Sequence, residues 1–255
     1  MNIRVDQNVF LRTLKNAGTQ SIWFIHGFAE SSFCFVDLFE TPLQDHFNLY
    51  APDLPGFGVT PLHAHGGSFR EAGQILLDLI ERISPGDRVY LVGHSLGAVI
   101  CTHVAQQHPG RIAALVSIEG NLTEADAYYS GQATKHETGA GFKQAFLRQV
   151  FEMAGEGEAL QRYYASVHLA HPEAMMQWGQ ASAQFSKASV VGREFKALAC
   201  PTLYYWGAKS TPEPTQRYIQ SEAIVNKRFE GSGHWPMIDQ PDRCAQDVLE
   251  FFLST

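Results

Sequence analysis

The residue best placed for nucleophilic chemistry is Ser95, at the centre of Gly93-His94-Ser95-Leu96-Gly97. The apolar run Val89–Val92 before it reads as a strand, and a helix is expected from about Ala98. The two glycines and Ala98 permit a sharp strand-to-helix turn that lifts the serine Oγ clear of the backbone. The helix N-terminus would set free N–H groups and a positive dipole end beside it. A Gly-x-Ser-x-Gly string is common by chance, so its weight comes from the strand before it and the helix after it. A second sequence, His26-Gly27-Phe28, follows the strand-like run Ile22–Ile25. Its glycine lets backbone approach a ligand, so the Phe28 and Leu96 N–H groups are the expected pair of oxyanion donors. A third, Gly231-Ser232-Gly233-His234-Trp235-Pro236, follows a short strand expected near Asn226–Phe229. Its glycines would let His234 hang over the carboxyl edge of a sheet as general base. His94 points elsewhere on the serine turn, and His26 is expected to brace the oxyanion loop. Glu30, Ser31 and Ser32 have helix capping as their first expectation, with substrate contact as the alternative.

The elements that must position these groups alternate along the chain. Phe47–Tyr50, Ala114–Ile118 and Thr202–Trp206 complete the set of strand-like runs. Their near-continuous apolar character suits strands buried on both faces of a parallel sheet. Between them, Phe69–Ile83 carries helical periodicity, with Ile75, Leu76, Leu79, Ile80 and Ile83 along one stripe. Ala98–Gln107 is a second helix, stopped by His108-Pro109-Gly110, and Asp242–Leu253 is a third. Strand and helix in alternation predict an α/β fold, a mostly parallel central sheet flanked by helices. From about Asn121 to Phe195 the alternation lapses, and Phe142–Met153, Leu160–Leu169 and Pro172–Phe185 read as successive helices. The expected organisation is a core of residues 1–120 and 196–255 with a helical cap inserted at 121–195.

Composition bounds the rest. A chain of 255 residues with 45% hydrophobic and 18% charged residues can bury a sizeable core. Its formal charge of −7 argues against nucleic acid or an anionic membrane as partner. No basic stretch followed by an apolar run opens the sequence, and no apolar run approaches a membrane span. Cys34, Cys101, Cys200 and Cys244 are scattered without metal-ligand spacing, which fits reduced, packed thiols and a cytoplasmic protein. His63-Ala64-His65 is the one close histidine pair and reads as a solvated loop. No metal or cofactor is expected. A monomer and a homodimer are both compatible with the sequence.

Taken together, His26-Gly27-Phe28, Asp53-Leu54-Pro55-Gly56-Phe57-Gly58, Gly93–Gly97 and Gly233-His234-Trp235-Pro236 resemble the α/β-hydrolase superfamily, in particular its single-domain members with a helical cap. The resemblance runs from about Ile22 to Phe252. In that family Asp53 would belong to a structural turn, and it is given no chemical role. The family's triad acid commonly follows the strand after the cap, in a Gly-x-x-Asp turn. Here the corresponding stretch is Gly207-Ala208-Lys209-Ser210, and a serine cannot act as the anionic orienter of an imidazolium. Some members of the family, certain haloalkane dehalogenases among them, place a carboxylate at the end of the strand beside the nucleophile strand. Glu119, at the end of Ala114–Ile118, occupies that position and keeps the order serine, acid, histidine. Glu213, just beyond Pro212, and Asp239, five residues after His234, are the competing acids.

Serine at position 95 excludes the aspartyl-ester route of the family's dehalogenases and epoxide hydrolases. The expected reaction is acyl transfer through an acyl-enzyme on Ser95, with a carboxylic ester as substrate. Thioester, lactone or carbon–carbon cleavage and lyase chemistry on the same site are alternatives, as is a non-hydrolytic receptor on a degraded scaffold. Aromatic residues crowd the insertion, which favours an apolar, small to medium-sized acyl substrate. Trp235, Glu30, Trp178 and Phe146 are the candidate pocket residues.

Overall fold

The apolar runs become the middle of a sheet. The computed structural model describes residues 1–16, 20–63 and 68–255. Its strands are β1 (Asn2–Asp6), β2 (Val9–Leu14), β3 (Ser21–Ile25), β4 (Asn48–Pro52), β5 (Val89–His94), β6 (Ile112–Ile118), β7 (Thr202–Gly207) and β8 (Asn226–Phe229). They form one sheet in the order β1-β2-β4-β3-β5-β6-β7-β8. Pairing is parallel from β4 through to β8, while β2 runs antiparallel to both of its neighbours. Every residue of β3 and β5 is buried, as unbroken apolar runs require when helices cover both faces.

The hairpin β1–β2 has no counterpart among the expected strands. β2 alternates buried and half-buried residues, and four of the five β1 residues are exposed, so neither carries the strong apolar run of a central strand. The available signal was the Gln7-Asn8 pair between them, whose φ values of 46° and 65° form the two-residue turn that suits a hairpin.

Helix Phe69–Ile83 spans the expected residues, and its start is fixed by a reciprocal capping box between Ser68 and Glu71. Helix Leu96–Gln107 begins directly at the serine turn, and helix Pro241–Leu253 closes the chain apart from its last two residues. Glu213–Ser221 forms a further helix between β7 and β8. Between β6 and β7 no strand occurs among the described residues. That stretch holds the helices Gly139–Met153, Glu158–Leu169, Pro172–Phe185 and Val190–Lys196, with short 3-10 turns at Glu124–Ala127 and Ser130–Lys135. Helix Pro172–Phe185 packs on the second of these turns, where the Ser130 and Ser182 hydroxyls meet at 2.7 Å. Polar contacts join this region to the sheet side, among them Arg162 paired with Asp37 at 2.5 Å, His171 N–H donating to the Gly56 carbonyl at 2.7 Å, and Tyr163 donating to the Phe28 carbonyl at 3.1 Å. No helix among the described residues is long and apolar enough to cross a membrane.

Candidate active site

Strand order brings the chemically capable residues to one edge. β5 lies between β3 and β6, and β7 follows β6, so the loops leaving the carboxyl ends of these four strands are neighbours. Phe28 follows β3, Ser95 follows β5, Glu119 follows β6, and Gly207 ends β7. His234 arrives from the loop after β8.

Ser95 sits in a strained turn, with φ 50° and ψ −123°, a conformation that non-glycine residues hold at a cost of about 1–3 kcal/mol. Its N–H donates to the Ile118 carbonyl at 2.9 Å, which ties the turn to β6. Glycine is required beside it for space. A Cβ on Gly97 would lie 2.1 Å from the Ile25 carbonyl oxygen, and one on Gly27 would lie 2.9 Å from the Ser95 Cβ. Gly97→Ala is therefore expected to lose about 3 kcal/mol of stability, because the obstacle is strand backbone that cannot yield. A urea unfolding midpoint close to that of the wild type would refute this. The Leu96 N–H belongs to the first residue of its helix and has no carbonyl four residues back within that helix. Leu96 and Phe28 are both buried, and Phe28 lines the same small cavity as Ser95 and His234.

Glu119 also holds a positive φ, 49°, and its N–H donates to the Tyr205 carbonyl at 2.9 Å. Its side chain is almost fully buried. One carboxylate oxygen, Oε1, accepts from the Gly207 N–H and the Thr211 hydroxyl, both at 2.7 Å. The other, Oε2, lies 3.1 Å from His234 Nδ1. Burial lowers the His234 pKa, opposed by the hydrogen bond His234 makes to Glu119 and assisted by the neighbouring His94. The competing acids are engaged elsewhere. Glu213 is solvent-exposed and pairs with Arg217. Asp239 accepts from the Ser232 hydroxyl at 2.7 Å and the Gly233 N–H at 3.2 Å, bracing the loop that carries His234. Ser210, where the family's usual acid would stand, leaves its buried hydroxyl without a partner, and the adjoining Thr211 makes the contact to Glu119.

The four candidate pocket residues divide. Trp235 and Glu30 line the cavity that Ser95 and His234 share. Trp178 does not: it is fully buried against Phe57 at 4.5 Å, Phe69 at 5.5 Å and His26 at 6.2 Å, a packing role between the insertion and the sheet side. Phe146 is also buried, and lies behind the cavity wall, 5.7 Å from Phe28 and 5.6 Å from Phe142. Neither is among the residues lining the cavity at Ser95, and both pack behind it; helical apolar spacing alone does not say which face meets a cavity. Glu30 does not cap the next turn either. Ser31 does so, accepting from the Phe33 N–H at 3.3 Å. His26 spans two loops, with Nδ1 2.9 Å from the Gly27 carbonyl and Nε2 accepting from the Leu54 N–H at 3.0 Å. Asp53 holds its own turn through the Ser32 and Val59 N–H groups.

Two features have no counterpart among the sequence expectations. Tyr128 places its hydroxyl 3.3 Å from His234 Nδ1. Together with Tyr129 it stands between the cavity at Ser95, with room for about one water molecule at 10 Å³, and an outer cavity of 840 Å³. Thr211 and Gly207 supply the donors that orient Glu119. Neither group could be found from sequence spacing, since the contacts join residues some 90 or more positions apart. Among the described residues no three His, Cys, Asp or Glu side chains converge as metal ligands. Of the His63–His65 pair, His65 lies outside the described residues.

The family model described as "Alpha/beta hydrolase family" matches residues 24–247. Among curated proteins, the pimeloyl-[acyl-carrier protein] methyl ester esterase of Sodalis glossinidius is 28% identical over 228 residues, covering 82% of this chain and 84% of that protein. Among solved structures, a thermophilic esterase from Thermogutta terrifontis superposes with a TM-score of 0.75 at 18% identity, covering 96% of this chain and 94% of that one. An esterase from Exiguobacterium antarcticum gives a TM-score of 0.76 at 15% identity, covering 96% of this chain and 95% of that one.

Proposed function

The chain belongs to the alpha/beta hydrolase family, and from that premise we propose that it is a serine esterase acting on a small to medium-sized, apolar carboxylic ester. The observation that carries the reading is the convergence of Ser95 and His234 on one cavity, with Glu119 Oε2 3.1 Å from His234 Nδ1. Curated relatives named as esterases favour an ester over the thioester, lactone and carbon–carbon bonds that the same groups can attack. In this reading His234 takes the Ser95 proton as the serine oxygen adds to the substrate carbonyl. The Phe28 and Leu96 N–H groups hold the oxyanion, and Glu119 steadies the imidazolium. His234 then returns the proton to the departing alkoxide, and water cleaves the acyl-enzyme by the same steps in reverse order. A reducing, cytoplasmic setting belongs to the same reading, supported by four cysteines that are all free and buried.

The outer cavity supports the substrate class. Met153, Ala159, Leu160 and Pro212 give it apolar wall, with Lys209 and Glu156 as its charged members beside Asp239. In this reading helices 139–185 act as a cap, and Tyr128 and Tyr129 are the partition an acyl chain must displace. Tyr128→Ala is expected to raise kcat/KM for long-chain p-nitrophenyl esters over the acetate by on the order of tenfold. An equal change at every chain length would remove Tyr128 from the access route. The function itself is tested by turnover of p-nitrophenyl acyl esters together with labelling by a fluorophosphonate probe. Turnover and labelling that both vanish in Ser95→Ala are the expected result. A wild-type protein that neither turns over nor labels would point to a ligand receptor.

A further inference from the structure

The oxyanion loop, the serine turn and the histidine loop meet at two side chains that the proposed reaction does not use. His94 is fully buried, with Nδ1 2.9 Å from Glu30 Oε2 and Nε2 2.8 Å from the main-chain carbonyl oxygen of His234. A carbonyl oxygen can only accept, so Nε2 carries a proton. Glu30 is also buried, and its carboxylate receives the Gly27 N–H at 2.6 Å on Oε2 and the Trp235 Nε1–H at 2.5 Å on Oε1. Two fixed donors on a buried carboxyl group favour its ionised, acceptor-only form, and Nδ1 of His94 then donates to it as well. His26, fully buried nearby, shows the opposite arrangement: Nδ1 donates to the Gly27 carbonyl and Nε2 accepts from the Leu54 N–H, which fixes a neutral ring.

We propose that Glu30 and His94 form a buried carboxylate–imidazolium pair that locks these three loops in register and biases His234 toward its neutral, proton-accepting form. The directions of the pKa shifts agree. Burial opposes charge on both groups, yet the attraction and hydrogen bond between them hold Glu30 down to about 2 and raise His94. For His26, burial prevails and the pKa falls. Together the pair and its contacts reach three loops: Gly27 leads into Phe28, His94 precedes Ser95, and the His234 carbonyl and Trp235 indole belong to the histidine loop. The rings of His94 and His234 stand 4.6 Å apart between centroids, so a cation on one disfavours a second on the other. Charged or titratable groups around His94 are Glu30, His234, Glu119 and His26, and those around His234 are Glu119, His94, Glu30 and the Tyr128 hydroxyl. The carboxylates act to raise the His234 pKa, and the His94 cation acts to lower it. Both residues are positioning residues, and their catalytic consequence rests on the esterase reading.

The sign of the pH effect follows. Protonated His234 cannot take the Ser95 proton, so activity is lost as pH falls through its pKa, which lies below the usual 6.5. Removing the neighbouring cation raises that pKa and moves the acidic limb of kcat/KM to higher pH by about one unit. The pair itself is tested by nitrogen NMR of the 15N-histidine-labelled wild type across neutral pH. His94 is expected to keep both ring nitrogens protonated while His26 keeps one bare. A bare nitrogen on His94 would overturn the proposal. His94→Asn and Glu30→Gln are then compared by pH profile on p-nitrophenyl butyrate. A lowered plateau with an unmoved limb in a folded His94→Asn variant, which removes the cation and keeps the Glu30 carboxylate, would reduce the pair to loop packing and overturn its electrostatic role. If the wild type hydrolyses no ester, the reading of function fails alone, because the NMR measurement and the His234 titration still decide the pair.

Discussion

Ser95→Ala is expected to lower kcat on ester substrates by on the order of a million-fold while leaving the protein folded and able to bind substrate. Alanine keeps the Cβ that already occupies the φ 50° conformation, so the turn loses no backbone support. The Ile118 carbonyl still receives the N–H of residue 95, and the glycines that admit β3 backbone to the turn are untouched. On the proposed mechanism, what disappears is the atom that would form the acyl-enzyme, leaving His234, Glu119 and the proposed oxyanion N–H groups to act on water alone. Active-site titration with a fluorophosphonate and initial rates on p-nitrophenyl butyrate check this, with thermal unfolding as the control for structure. Turnover within tenfold of the wild type in a properly folded variant would show that the nucleophile lies elsewhere.

Glu119→Gln is expected to lower kcat by roughly ten-thousand-fold, again without unfolding. The geometry gives the reason. Two donors, the Gly207 N–H and the Thr211 hydroxyl, converge on Oε1, so the glutamine carbonyl oxygen is drawn to that position. The amide NH2 is then left facing His234 Nδ1, where the wild type presents an acceptor at 3.1 Å. A donor there selects the tautomer with its proton on Nε2, and that nitrogen can no longer accept from Ser95. Thr211→Val, which removes one of the two fixing donors, is a milder version of the same lesion. Glu213→Gln touches only a solvent-exposed ion pair and should behave as the wild type. A large loss at Glu213 together with near-normal turnover in Glu119→Gln would reverse the assignment of the acid.

Local chemistry was legible in the sequence because each signal is short. Glycines around Ser95 announce a tight turn, the apolar run Val89–Val92 announces a doubly covered strand, and the apolar stripe from Ile75 to Ile83 announces the helix Phe69–Ile83. The mostly parallel α/β architecture and the helical stretch between β6 and β7 follow from alternation of those patterns. The family resemblance, with the serine at position 210, put Glu119 first as the acid, and sequence kept Glu213 and Asp239 as competitors.

Only the tertiary structure separated those three, because the deciding facts are distances between loops on different strands. The order β3-β5-β6-β7 sets Phe28, Ser95, Glu119 and Thr211 side by side, although 183 positions separate Phe28 from Thr211. Trp178 and Phe146 belong to helices whose apolar stripes were readable, yet which residues of a stripe face packing and which face a cavity depends on the partner surface. The hairpin β1–β2 was passed over because an edge strand needs little apolar surface of its own. Glu30 and His94 show the limit most clearly. Sequence assigned one to capping or substrate contact and turned the other away from the site, whereas donor and acceptor geometry joins them as a buried pair. Residue types and spacing determined which groups could do chemistry here. The fold decided which of them meet, since burial and strand order set the distances and charges on which that chemistry depends.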